Sequence, residues 1–252
     1  MQILLTVAYD GTNYAGWQRQ QNAVAVQQKL EEALSALLGK PITTRAASRT
    51  DAGVHALGQC AAFFAENMRI PMDKLPGVLN GYLPGDIAVS AAEAVHVNFN
   101  PRLDAKYKTY SYQLYNAPTP NPLLARHSVH IHRPLDFDAM KHALPALIGR
   151  HDFAAFMATG SSAMTTIREI YALDITNHPN GLVNLTVTGN GFLYNMVRII
   201  AGTLLYVGQG KLMPSHIPGI ILARDRTRAG KTMPPQGLTL LEVGYTKYMQ
   251  MK

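Results

Sequence analysis

The stretch SRTDAGVHALGQ, Ser48 to Gln59, sets Arg49 two residues before Asp51, then Ala-Gly, then His55, between two apolar segments. A carboxylate in a glycine-bearing loop can be a nucleophile, a general acid, a ligand or a turn residue. Each role needs different company. An aspartic protease places Thr or Ser after its Asp and shares one proton between two carboxylates. Here Ala52 follows Asp51 and there is one such segment, so a protease would need a second chain. His130 and His132 alternate on one expected strand and could face a metal together. No carboxylate or thiol sits beside them, and a surface pair or simple packing explains them better. GNGFLY, Gly189 to Tyr194, nearly matches a dinucleotide fingerprint, but Tyr194 takes the place of the third glycine. The residue about twenty positions on is Lys211, not an acid, so the two glycines read as a tight turn.

Arg198 sits in LYNMVRIIAGTLL, where nearly every neighbour is apolar. A cation there either lies on the one wet face of a helix or needs a carboxylate from elsewhere. An Asp paired with such a cation stays ionised near neutrality, which suits a nucleophile or charge stabiliser better than a general acid. Tyr110 and Tyr112 of KTYSYQLY fall on one strand face, either as core aromatics or as a platform for extruded bases. ARDRTRAGK, Ala223 to Lys231, holds Arg224, Arg226, Arg228 and Lys231 against Asp225, and reads as a phosphate-contacting loop or a solvated charged loop. Trp17, the one tryptophan, reads as a buried anchor.

The elements that must hold these residues follow from periodicity. Alternation and β-rich runs predict strands over 3–9, 42–47, 56–65, 87–94, 106–115, 167–176, 182–188 and 238–245. Helical spacing predicts helices over 27–38, ending at Gly39, and over 71–82, 136–148, 193–207 and 214–223. Asp10-Gly11-Thr12-Asn13 and His178-Pro179-Asn180-Gly181 read as turns. Adjacent strand pairs mixed with helices favour an α+β fold with mixed, mainly antiparallel sheets. The expected division is residues 1–103, carrying the Asp51 loop, and 104–252, carrying the tyrosine strand and the Arg198 helix.

The chain has 252 residues, 47% hydrophobic and 15% charged, the profile of a globular protein. Lys and Arg number 23 against 16 Asp and Glu, and the net charge of +7 suits a polyanionic partner or simply a basic protein. The single cysteine, Cys60, excludes an intrachain disulfide and fits a reducing cytoplasm. The start MQILLTVAYDG reads as a first strand and not a signal peptide, and no apolar run reaches the roughly 18–20 residues of a membrane span.

Six motifs in order resemble the tRNA pseudouridine synthase A (TruA) family: YDGTNYAGWQRQ, SRTDAGVHALGQ, KTYSYQLYN, GRHDFAAF, GNGFLYNMVRIIAGTL and PPQGLTL. The resemblance implies two related ferredoxin-like subdomains flanking a basic active-site cleft, in a cytoplasmic homodimer. It implies conversion of uridine to pseudouridine at positions 38, 39 and 40 of the tRNA anticodon arm, with target-base flipping and with neither cofactor nor metal. Carried over, Asp51 is the nucleophile, Tyr110 stacks on the base and serves proton abstraction, and Arg198 pairs with the aspartate. Gln18, Arg19, Arg49, Arg224, Arg226 and Arg228 are the expected RNA contacts. Ser48, Ala155 and Tyr206 depart from the usual pattern without removing any of these residues.

Overall fold

The computed structural model describes residues 1–66, 68–161 and 163–246. They form two compact units, Met1–Lys106 joined by the residues from Thr239 on, and Tyr107–Leu238. Both are α+β with mainly antiparallel sheets.

The first unit contains β1 (Gln2–Tyr9), β2 (Arg45–Ala46), β3 (His55–Phe64) and β4 (Ile87–Val95), with helices α1 (Val26–Leu38) and α2 (Leu75–Asn80). β1 lies between β3 and β4, antiparallel to both, and its apolar run is buried almost throughout. α1 buries Val26, Leu30, Ala33 and Leu34, a stripe at helical spacing. It ends at Gly39, whose φ of 69° is the left-handed cap the sequence predicts. β2 is shorter than the expected strand because the Glu31 carboxylate takes the Thr44 N–H at 2.8 Å, removing that donor from any ladder. α2 is also shorter than expected. Residues before it form a turn on the Pro71 carbonyl, and Pro76, Gly77 and Gly81 all weaken the helix.

The second unit contains β5 (Tyr107–Asn116), β6 (Val129–Ile131), β7 (Gly149–Asp152), β8 (Ile167–Asn177) and β9 (Leu182–Gly189). The sheet order is β5-β9-β8-β7, with β6 parallel to β5. The hairpin between β8 and β9 turns at Gly181, φ 82°, whose N–H bonds to His178 O at 3.0 Å. Three helices, α3 (Phe137–Ala143), α4 (Met196–Gly208) and α5 (Ile217–Ala223), cover the sheet's apolar residues. α3 stops where Pro145 interrupts the ladder and continues as a 3-10 turn to Leu147. The expected 214–223 helix divides for the same reason: Pro218 has no N–H for the Pro214 carbonyl, so a 3-10 turn precedes α5. β6 is too short to hold both histidines. His130 is on it, with Nε2 2.8 Å from Ala117 O, and His132 lies past its end.

The last strand, β10 (Leu238–Gly244), returns the chain to the first unit at Thr239, pairing in parallel with β3 through Thr239↔His55 and Leu240↔Ala56. A division at 103/104 places this strand with the second half, whereas its residues from Thr239 on belong to the first compact unit. No helix among the described residues is long and apolar enough to cross a membrane.

Candidate active site

The Asp51 loop is shaped by the segment that follows β1. A Cβ on Gly11 would stand 2.0 Å from Val54 O, and one on Gly16, φ 89°, 2.5 Å from Thr50 O. Only glycine lets these two backbones lie so close. The approach is fixed by hydrogen bonds: Trp17 N–H to Thr50 O at 3.1 Å, Gly53 N–H to Tyr14 O at 3.3 Å, and Val54 N–H to Asp51 O at 3.1 Å. The Tyr9 and Thr50 hydroxyls meet at 2.7 Å. Gly53 adopts φ 76°, a left-handed conformation that glycine allows, and Trp17 is buried as an anchor, 5.8 Å from the Tyr9 ring.

On the other side of the loop, fully buried Gln59 reads both backbone groups of Ser48. Its Oε1 accepts the Ser48 N–H at 3.2 Å, and its Nε2 donates to Ser48 O at 2.8 Å. Tyr14 donates to the Asp86 carboxylate; burial first, then that carboxylate, raise its pKa, so the phenol stays a neutral donor. Thr50 is therefore buried, Asp51 half-buried, and Arg49 and Ala52 exposed.

His55 Nδ1 lies 3.0 Å from the Gly11 N–H and 3.1 Å from Asp10 Oδ1. One nitrogen can accept from the first or donate to the second, not both. Asp10 Oδ1 also accepts from the Thr12 N–H and hydroxyl. His55 thus braces the turn under the loop.

In the second unit, Arg198 is the half-buried cation of a helix whose other residues are nearly all buried. Its Nε donates to Met233 O at 2.6 Å and its Nη1 to Asn195 Oδ1 at 2.7 Å. Asn195 holds a left-handed conformation, φ 61°, immediately before α4, which asparagine tolerates better than most residues. The 230–233 segment lies directly on α4. A Cβ on Gly202 would reach 1.9 Å from Lys231 O, Gly230 N–H bonds to Thr203 Oγ1 at 2.8 Å, and Met233 N–H to Arg198 O at 3.2 Å. Close backbone approach again supports the functional candidate.

Tyr110 and Tyr112 share a face of β5, and both are buried. Tyr112 is core: its hydroxyl donates to Pro234 O at 2.7 Å, and burial raises its pKa. Gly237 passes over its ring, where a Cβ would stand 2.7 Å from Cζ. Tyr110 meets Phe192 edge-on at 5.3 Å.

The arginine-rich loop divides its side chains. Asp225 caps a 3-10 turn through Thr227, Arg226 is half-buried and donates to Gly230 O and Thr232 Oγ1, and Arg228 is exposed. Arg224 is exposed, with Nε 3.0 Å from Asp152 Oδ2. In the first unit Gln18 and Arg19 are exposed, Arg19 bonding to buried Glu31 at 3.3 Å. Reading the sequence missed Thr50, Gln59, Asn195 and Asp152, none of which sits in a pattern that separates support from chemistry. The glycines of YDGTNYAG were the available signal for a close backbone approach.

A family profile described as tRNA pseudouridine synthase matches residues 5–104 and 143–246. A protein of Ruminiclostridium cellulolyticum named tRNA pseudouridine synthase A is 48% identical over 243 residues, covering 96% of this chain and 99% of that one. A namesake from Geotalea uraniireducens is 46% identical over 244 residues, covering 97% and 99%. A solved archaeal box H/ACA Nop10–Cbf5 complex contains a chain 10% identical, with TM-score 0.39, covering 95% of this chain and 48% of its own.

Proposed function

Because this chain belongs to the tRNA pseudouridine synthase family, whose members isomerise uridine to pseudouridine in tRNA, we propose that it carries out this reaction in the anticodon arm, at positions 38, 39 and 40. The observation that carries the proposal is the Asp51 loop: a half-buried carboxylate on a turn over-determined by Gly11, Gly16, Gly53 and Gln59, in a chain that matches the family nearly end to end.

The reaction breaks the bond from ribose C1′ to N1 and remakes it to C5, so it is balanced without water, electrons or a cofactor. Asp51 is the nucleophile, adding to C6 of the uracil or attacking C1′. A base then removes the C5 proton, the role given to Tyr110, which also stacks on the flipped ring. Arg198 is the cation that keeps the Asp51 carboxylate ionised. Flipping the target base requires a few kcal/mol, and stacking returns about 1–3 kcal/mol of that. Phosphate contacts from Gln18, Arg19, Arg49, Arg224, Arg226 and Arg228 supply affinity, with Arg226 also bracing its loop. A homodimer acting in the cytoplasm on tRNA, without metal, completes the reading.

Tritium release from C5-labelled uridine in tRNA tests it. Asp51→Asn is expected to lower the rate by at least about 1,000-fold while tRNA still binds. Full turnover by that variant, with deamidation excluded by mass spectrometry, would remove Asp51 as nucleophile. Arg198→Ala should add little further loss in the Asp51→Asn background, because residues acting as a unit are not additive.

A further inference from the structure

Arg224 combines two unusual features. It holds a left-handed backbone conformation, φ 54° and ψ 19°, at the end of α5, where glycine is the common residue. Its side chain nevertheless extends into solvent, two-thirds exposed, and forms an ion pair on its Nε side, 3.0 Å from Asp152 Oδ2. Asp152 is only 22% exposed, and its other oxygen accepts the Ala154 N–H at 3.1 Å, so the carboxylate is anchored before it meets the arginine. Among the described residues the two terminal nitrogens of Arg224 have no other side-chain bond. Arg226, two residues on, differs in that its terminal nitrogens are turned onto its own loop.

A guanidinium whose Nε side faces a carboxylate turns its Nη pair outward as a fork, the geometry that matches two phosphate oxygens. A left-handed non-glycine residue persists only where the surrounding structure over-determines it. We propose that Asp152 is a positioning residue that aims Arg224 at a backbone phosphate of the RNA substrate. This rests on the tRNA-modifying function proposed above and adds to it a residue of opposite charge whose removal weakens binding.

The sign makes the idea testable. If Asp152 merely neighboured the RNA, deleting its charge would tighten binding by removing repulsion. If it aims Arg224, deletion weakens binding. The Asp152→Asn variant keeps an oxygen for the Ala154 N–H and loses the charge that pairs with Arg224. Kd for an unmodified tRNA transcript is measured by filter binding across a salt series, alongside KM and kcat for tritium release and a thermal melt. Asp152→Asn is expected to raise Kd and KM several-fold, up to about ten-fold, with kcat within a factor of about two. Arg224→Ala should do the same and lower the salt slope by about one phosphate, and the double variant should bind no more weakly than Arg224→Ala. Arg224→Gly should melt no lower than wild type, since it relieves the left-handed backbone, yet bind like Arg224→Ala. Wild-type affinity in Asp152→Asn, tighter binding, or additive losses in the double variant would overturn the proposal while leaving the synthase reading intact. Failure of the wild-type protein to bind tRNA or release tritium would instead remove the reading on which it rests.

Discussion

The Asp51 loop and the Arg198 helix are held by different physics. In the first unit the loop has no regular structure of its own. Its shape comes from backbone hydrogen bonds and two glycines of the 11–17 segment, with Gln59 closing the other end. In the second, α4 is a buried apolar helix whose fold comes from packing, and the candidate cation, Arg198, is set by a few polar bonds to an adjoining segment and to Asn195. The loop is positioned mainly through its main chain. On the helix, polar bonds orient one side chain. It follows that the first should break under small backbone changes and the second under changes in what covers the helix.

The largest expected effect comes from putting a methyl between the loop and its support. Gly11→Ala would place a carbon 2.0 Å from Val54 O, and a shift of the loop by about 1 Å is expected to lower kcat about 100-fold, with stability reduced by roughly 1–3 kcal/mol. Stopped-time tritium release and urea melts would check both numbers, and a fully active variant would show that the glycine is dispensable. Gly202→Ala is the counterpart on the helix. It pushes against Lys231 O at 1.9 Å, so a loss of roughly 1–3 kcal/mol is expected, with activity falling as Met233 O moves off the guanidinium. Equal kcat in this variant would separate Arg198 orientation from the covering segment.

Gln59→Leu sharpens the comparison by deleting side-chain bonds to the loop backbone while keeping bulk. Leaving the Ser48 N–H and C=O without that partner should destabilise by about 1–3 kcal/mol and reduce kcat more than KM. Tyr112→Phe removes the bond to Pro234 O. It should lose about 1 kcal/mol in a thermal melt and leave turnover essentially unchanged, because Tyr112 is core and Tyr110 is the proposed base partner. The smallest effect is at Cys60. Burial raises its thiol pKa, so the folded chain keeps the proton to higher pH than the unfolded chain. The associated stability is full below the ordinary thiol range and declines as pH rises above it. Alkylation by iodoacetamide at pH 8 should therefore be slow until the protein unfolds.

Much of this arrangement was legible in the sequence where the cause is local. The runs of β1, β5, β8 and β9 alternate or stay apolar as strands do, and the stripe of α1 ends at a glycine that takes φ 69°. Asp51-Ala52-Gly53 announced a tight turn. Elements containing prolines were read too long, because Pro145 and Pro218 each delete a backbone donor that apolar periodicity does not register. The two histidines do not share a strand, because β6 ends at Ile131, but both are exposed, as a surface pair would be.

By itself the sequence determined the strands and long helices, the turn bearing Asp51, and a cation in the middle of an apolar helix. Spacing and residue type act over a few positions, and nothing distant needs to be known. Tertiary structure decided the rest. Gly11 lies against Val54, Gln59 reads Ser48, and β10 returns to β3. Arg226 turns inward while Arg224 is held outward by Asp152. Most of these depend on groups far apart in the chain being brought within hydrogen-bonding or van der Waals reach, and no local pattern in the sequence encodes such a meeting.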